Sequence, residues 1–318
     1  MAAMTIKPGW VKPATILFAS EVPANEMAFE FALAQVREFH SRLILFHAYD
    51  SLLVAATDPS RNGYYDHVAA RAKKRNLEPF AERARRAAVE CEVVVRTGLP
   101  LDQILAFAHE RKVDRIVMGT HSPAGIDKLL LGSVAEAVLR RAEVPVYIVG
   151  TGVVSRARRS FATKTILCAV SMQEHSGAVV EFAAELAAQY GAGLILQHVI
   201  PPQERTELLV GGTLDVIEMN LRNLVPQGLQ ARLAIETIVA PGDPVEELLS
   251  QSRTHRADLI VLGAHPASAF GAVSRDGLVY KTLARAKCPV ITLSPVVLAE
   301  FGAPQTKSPV GAHIAGVF

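Results

Sequence analysis

The chain has 318 residues, half of them hydrophobic and one-fifth charged, which is the composition of a globular protein with room for two full cores. Its 33 Lys and Arg nearly balance 31 Asp and Glu, for a net charge of +2. No broad basic field results, so a nucleic-acid partner is not implied.

Thr15-Ile16-Leu17-Phe18-Ala19 is a short apolar run of buried-strand type, and Ser20 to Asn25 reads as a loop. Ala28, Phe31, Ala32, Val36 and Phe39 recur at helical spacing, and Leu43 to Ala48 is a second strand. Tyr49 to Tyr65 is loop-like, with Pro59 and Asn62-Gly63 as turn signals. A basic helical segment from about His67 to Glu90 is expected to be interrupted at Pro79. Glu92 to Arg96 is a third strand. Pro100 then opens a helix whose Ile104, Leu105 and Ala108 face inward. Strand four, Arg115-Ile116-Val117-Met118, ends in Gly119-Thr120-His121-Ser122. Nine residues later, Gly132-Ser133-Val134-Ala135 starts an apolar-periodic helix, and Val144-Pro145-Val146-Tyr147-Ile148-Val149 is a fifth strand. A strand, a glycine loop and a helix start in this order aim N–H groups and a positive helix end at one point, a ready site for a phosphate.

The same order then restarts. Thr165-Ile166-Leu167 repeats Thr15-Ile16-Leu17, and His198-Val199 repeats His47-Ala48. Gly242-Asp243-Pro244 repeats Gly98-Leu99-Pro100, Asp258 to Gly263 repeats Asp114 to Gly119, and Cys288-Pro289-Val290 repeats Val144-Pro145-Val146. Alternating strands and helices in each copy imply an α/β layer on a mostly parallel sheet. Residues 12–150 form the first domain, 151–164 a linker, 165–294 the second domain and 295–318 a tail. The linker, with Arg156, Arg158, Arg159 and Lys164, reads as a solvated connector. The tail has three prolines and no clear period, and is either partly disordered or laid across the other domain.

The glycine spacing, the run Leu129-Leu130-Leu131-Gly132-Ser133-Val134-Ala135 and the Val-Pro-Val strand together resemble universal stress proteins, over almost the whole chain. The resemblance implies two tandem open parallel-sheet domains with helices on both faces, an adenine nucleotide α-hydrolase-like fold. It further implies pairing of the two units through their fifth strands, and ATP, with or without Mg²⁺, as ligand. Carried onto this sequence, the nucleotide site of the first copy comprises Ala19, Ser20, Glu21, Ala48, Met118, Gly119, His121, Ser122, Lys128, Gly132, Ser133 and Val134. Glu21 stands where the family has an aspartate, and Ser122 stands where it has a second glycine. Glu21 has a second reading as an acid at a helix start, and Lys128 is either a phosphate contact or a solvent-facing lysine. In the second copy the corresponding positions are Ser171, Gly263, Pro266, Asp276 and Gly277. Proline has no N–H to donate, and a carboxylate at Asp276 would repel a phosphate. That copy is expected not to bind ATP in this mode.

His121 and His265 sit at matched loop positions without a second His or Cys at ligand spacing, so loop hydrogen bonds fit them better than a metal does. His47 and His198 read as partly buried structural histidines. No GxxxxGK[ST] loop is present, and Ser20 and Ser133 lack recognisable triad partners. The expected function is therefore regulatory nucleotide binding, with at most weak ATP hydrolysis. The alternative is an interaction scaffold in which both sites are degenerate. Cys91, Cys168 and Cys288 share no metal spacing, which suits a reduced, cytoplasmic protein. Neither a signal peptide nor a membrane span is expected, and a homodimer is left open.

Overall fold

The computed structural model describes residues 6–21, 25–50, 62–120, 131–150, 152–153, 161–172, 175–201, 213–263 and 277–302. The first copy runs α1 (Pro8–Val11), β1 (Thr15–Ala19), α2 (Glu26–Phe39), β2 (Arg42–Tyr49), α3 (Asn62–Arg86), β3 (Cys91–Thr97), α4 (Pro100–Glu110), β4 (Arg115–Gly119), α5 (Ser133–Arg141) and β5 (Val146–Val149). The second runs β6 (Thr165–Ala169), α6 (Ser176–Tyr190), β7 (Gly193–Ile200), α7 (Thr213–Asn223), α8 (Gln227–Gln230), β8 (Ile235–Pro241), α9 (Pro244–Thr254), β9 (Leu259–Gly263), α10 (Leu278–Arg285), β10 (Val290–Leu293) and α11 (Pro295–Gly302).

The ten strands form one sheet in the order β3-β2-β1-β4-β5-β10-β9-β6-β7-β8. Every pairing is parallel except the central one, where β5 and β10 run antiparallel with Val290 opposite Ile148 and Thr292 opposite Val146. Ile16, Leu17, Phe18, Ile116 and Val117 are fully buried, as expected of inner parallel strands covered on both faces. Two core layers sandwich the sheet, and each runs across both copies. One holds Phe18, Phe29, Leu45, Phe182 and Leu196, and the other holds Leu17, Phe46, Phe107, Ile195 and Leu248.

The repeated aspartates have a shared structural task. Asp114 Oδ2 accepts from the N–H groups of Ala14 and Thr15 at 2.8 and 3.0 Å, and Asp258 Oδ2 accepts from Lys164 and Thr165 at the same two distances. Each clamp ties the start of a copy's fourth strand to the start of its first.

Termini and aromatics join the halves. Phe31 meets Phe161 edge-on at 5.3 Å, and Phe39 meets Tyr190 at 5.2 Å. Arg115 is fully buried near this seam. Its guanidinium bonds Gln35 and the Trp10 carbonyl and lies over the rings of Tyr147 and Phe39, 4.3 and 4.9 Å from their centroids. Tyr190, from the second copy, donates to the same Gln35 Oε1 at 2.5 Å.

Two expectations change. The segment containing Pro79 is one continuous helix that already begins at Asn62, where a turn was expected. Proline removes one helical hydrogen bond, but Leu77, Phe80, Ala81 and Ala84 around it are buried and hold the helix against the sheet. The start of the tail is also helical: in α11, Val297 and Leu298 are buried. Ser294 Oγ, just before it, donates to the Ala142 carbonyl of the first copy at 2.5 Å and accepts from Val297 N at 3.1 Å. Pro59, Arg156, Arg158, Arg159 and the rest of the tail lie outside the described residues.

Candidate functional site

In each copy the strand order places β1 and β4, or β6 and β9, where the direction of winding reverses. Ligands of open α/β sheets bind at the carboxyl ends of strands around such a point. In the first copy Ala19 pairs in register with both Phe46 and Met118. A cleft of about 110 Å³ opens at these strand ends.

Ala19, Ser20, Glu21, Ala48, Met118, Gly119, Gly132 and Val134 all line it. Ser133 is exposed in the first turn of α5 and is not among the lining residues. His121, Ser122 and Lys128 lie outside the described residues, as do His265, Pro266 and Asp276 of the second copy. Asn25, Phe46, His47, Pro100, Ile104 and Ala135 complete the lining. None of these six was assigned to the site from sequence.

Asn25 joins the two loops that bound the cleft. It caps α2, accepting from Ala28 N at 3.0 Å, and its Nδ2 donates to the Thr120 carbonyl at 2.9 Å. A Cβ on Gly119 would fall 2.5 Å from Asn25 Cβ, so Gly119 is required by this close approach. Neither Gly119 nor Gly132 has positive φ; among the described glycines that backbone belongs to Gly98, Gly191 and Gly242.

Gly132 is the N-cap of α5, with φ −62° and ψ 150°, and no side chain caps the helix. Among the described residues, a Cβ there would meet only Glu21 Oε1, at 3.9 Å. Among the described residues, no side chain caps the first-turn N–H groups of α5. A helix N-terminus in that state carries about half a positive charge and suits an anion. The Glu21 carboxylate lies next to it. A phosphate in this position would need that charge turned away or bridged by a cation.

His47 fixes the loop after β1. Its Nδ1 donates to the Ser20 carbonyl at 2.8 Å, and its Nε2 has no partner among the described residues. Burial pushes its pKa below the usual 6.5, outweighing the Ser20 bond, while Lys73 lowers it further and Glu21 raises it. The imidazole is thus held neutral, as a structural role requires. The wall opposite is apolar, from Phe46, Ala48, Ile104 and Met118, with Phe46 packed on Phe107 at 4.8 Å between ring centroids.

The second copy has a matching but narrow cleft of about 60 Å³ lined by Ala169, Ser171, His198, Pro244, Gly263 and Leu298, among others. His198 repeats the loop bond, with Nδ1 donating to Val170 O at 2.8 Å. Here Gly263 is crowded by Val179, whose Cγ2 would lie 2.7 Å from a Cβ at residue 263, and the α11 residue Leu298 closes one side. The helix after this loop is capped by Gly277. Counting residues from Gly263 sets Asp276 against Gly132, but the cap geometry sets Gly277 there, so the second loop is one residue longer rather than lacking its glycine.

Cys168 and Cys288 are buried free thiols whose pKa values desolvation pushes up to about 12, and Cys91 is raised to about 11 for the same reason. Among the described residues no group of three or more His, Cys, Asp or Glu could hold a metal ion, and no helix is long and apolar enough to cross a membrane.

The family model of universal stress proteins matches residues 14–150 and again 162–294. Universal stress protein MJ0531 of Methanocaldococcus jannaschii is 38% identical over 73 residues, covering 23% of this chain and 43% of that protein. A universal stress protein of Thermus aquaticus is 32% identical over 124 residues, covering 37% of this chain and 84% of that protein. For the first four curated relatives the chain spans 42–60% of their length. The solved universal stress protein of Archaeoglobus fulgidus superposes with a TM-score of 0.65 at 20% identity, covering 88% of this chain and 96% of that one. Two family matches in one chain, each laid over five strands in the order 3-2-1-4-5, lead to one conclusion: the protein belongs to the universal stress protein family, with two such domains in tandem.

Proposed function

We propose that the first copy binds an adenine nucleotide, ATP with or without Mg²⁺, and that the second copy is its built-in structural partner. The observation that carries this reading is the bare N-terminus of α5 at Gly132, opening onto a cleft whose other wall is apolar. The apolar side between Ala48, Ile104 and Met118 suits a base, and the first-turn amides suit a phosphate. Antiparallel pairing of β5 with β10 would do within one chain what single-domain relatives need a second molecule to do. The role is regulatory: nucleotide favours one arrangement of the loop after β4, and a partner in the cytoplasm responds to it.

Thermal denaturation of the full chain with millimolar ATP and Mg²⁺ tests this. Ligand at a hundred times its Kd stabilises by about 2.7 kcal/mol. Gly132→Asp should remove the shift. The substitution is conformationally mild, because the backbone there suits any residue and the space is open, and aspartate is a good N-cap. An unchanged shift in that variant would place the nucleotide elsewhere.

A second reading, an interaction scaffold without nucleotide, draws on the Glu21 carboxylate beside Gly132. Absence of any ATP response in the natural chain, with a response appearing in Glu21→Ala, would favour it.

A further inference from the structure

A hollow of about 450 Å³ lies at the far end of the second copy's strands from its cleft. Its lining includes Asp258, just before β9, and Pro289, just before β10, which puts it at the amino ends of those strands. Val153 and Phe161, where the connector between the copies begins and ends, also line it. Phe161 there packs edge-on against Phe31 of the first copy, at 5.3 Å between ring centroids. Nucleotides of open α/β sheets bind at the carboxyl ends of strands, so the reading given for the first cleft makes no use of this place.

The hollow is ringed by cations. Arg253 and Arg256, at and just past the end of α9, line it together with Lys287, and all three are exposed. The Lys287 Nζ stands over the connector, where a Cβ on Gly152 would lie 3.4 Å from it. The carboxylate among the described lining residues is Asp258, whose Oδ2 is already taken by the N–H groups of Lys164 and Thr165. Among the described residues, none of the three cations takes part in an ion pair. Between Val153 and Phe161 the sequence holds three arginines and no acid, so the connector supplies no counter-charge.

The first copy shows the same place with its charges balanced. The repeat that sets Asp258 against Asp114 sets Arg253 against His109, Arg256 against Lys112 and Lys287 against Glu143. There His109 Nδ1 meets Glu143 Oε2 at 2.9 Å. The described lining holds Lys7, Lys112 and Arg141 against Glu110, Asp114 and Glu143. A helix carboxyl end favours cations, which accounts for Arg253 and Arg256 as it does for His109 and Lys112. It does not account for Lys287, which stands before a strand and exchanges the first copy's acid for a base. Like charges around one hollow repel each other and draw in an anion.

We infer that this hollow is a site for a small organic anion, with a carboxylate or phosphate head for Arg253, Arg256 and Lys287 and an apolar body for Phe161 and Pro289. Its volume falls in the range of small-molecule sites. The aliphatic stems of the three basic side chains add apolar surface beneath their charged ends.

Calorimetry of the full chain tests this with 2-naphthoate and 2-naphthyl phosphate. At least one of them should bind saturably, and more weakly as salt is raised. Inorganic phosphate, the head alone, and 2-naphthalenemethanol, the body alone, should each bind at least about tenfold more weakly. Lys287→Glu, which restores the first copy's acid, should weaken the bound probe by about tenfold or more. The residue is exposed, so the variant should melt no lower than the natural chain. Arg256→Gly removes a second cation at φ 52°, a backbone that glycine adopts freely, and should also fold and bind more weakly. The ATP response of Lys287→Glu should be unchanged, which separates this test from that of the first cleft. No saturable binding of either probe, equal binding of 2-naphthalenemethanol, or equal binding by either variant overturns the inference.

Discussion

Asn25 and Gly119 sit in such close contact that a methyl group at residue 119 would lie 2.5 Å from Asn25 Cβ and 2.7 Å from its Cγ. The contact lets one side chain cap α2 and hold the Thr120 carbonyl, tying together the two loops at the candidate nucleotide site. Gly119→Ala should therefore destabilise the protein by about 1–3 kcal/mol through overpacking. Asn25→Ala should cost about 0.5–2 kcal/mol as a lost cap. The two effects should be less than additive, since both act on one contact. Urea unfolding of the two single variants and the double variant measures this.

His47 gives stability a pH dependence of known sign. Burial lowers its pKa below 6.5 in the folded chain. Above pH 6.5 both states hold a neutral imidazole and the contribution is complete. As pH falls through 6.5 toward the lower folded value, the unfolded chain takes up a proton that the folded chain resists, and stability is lost. His47→Asn keeps an N–H for the Ser20 carbonyl but cannot titrate. Denaturation at pH 7.5 and 5.5 should show a smaller loss for this variant than for the natural chain.

Ser294 anchors α11 to the first copy. Its hydroxyl donates to Ala142 O and accepts from Val297 N. Ser294→Ala leaves both groups buried without that partner, at a cost of about 1–3 kcal/mol. Because Leu298 lines the second cleft, the variant should also speed proteolysis of the helix after Pro295, readable by limited digestion and mass spectrometry.

Arg115 is a buried cation whose hydrogen-bond partners are neutral groups. The second copy has Leu259 in its place. Arg115→Ala should destabilise by about 3–5 kcal/mol, since it opens a cavity under Tyr147 and Phe39. Arg115→Leu should cost less than half as much, since hydrophobic replacements of buried charges are often near neutral. Equal losses would show that the guanidinium itself holds the seam.

The repeated order of strands was legible because its markers perform local work. Asp114 and Asp258 each clamp the start of a strand, and His47 and His198 each hold a loop carbonyl, so both pairs recur at matched positions. Asn25 escaped notice because its second partner, Thr120, is 95 residues away. Its cap role was visible, as an asparagine just before the apolar period of α2. Helix α3 ran through Pro79 because burial of Leu77, Phe80 and Ala81 outweighs one missing hydrogen bond, a tertiary effect that local propensity does not contain. The one-residue lengthening before Gly277 was hidden because counting from Gly263 lands on Asp276.

A nucleotide in the first copy, as proposed, would sit at the start of α5. A crystal structure of the full chain grown with ATP and Mg²⁺ tests it most directly. Phosphate density is expected against the first-turn amides of α5 beside Gly132, with the base between Ala48 and Met118. Triphosphate density in the second cleft, or in neither cleft at saturating ATP, would contradict it.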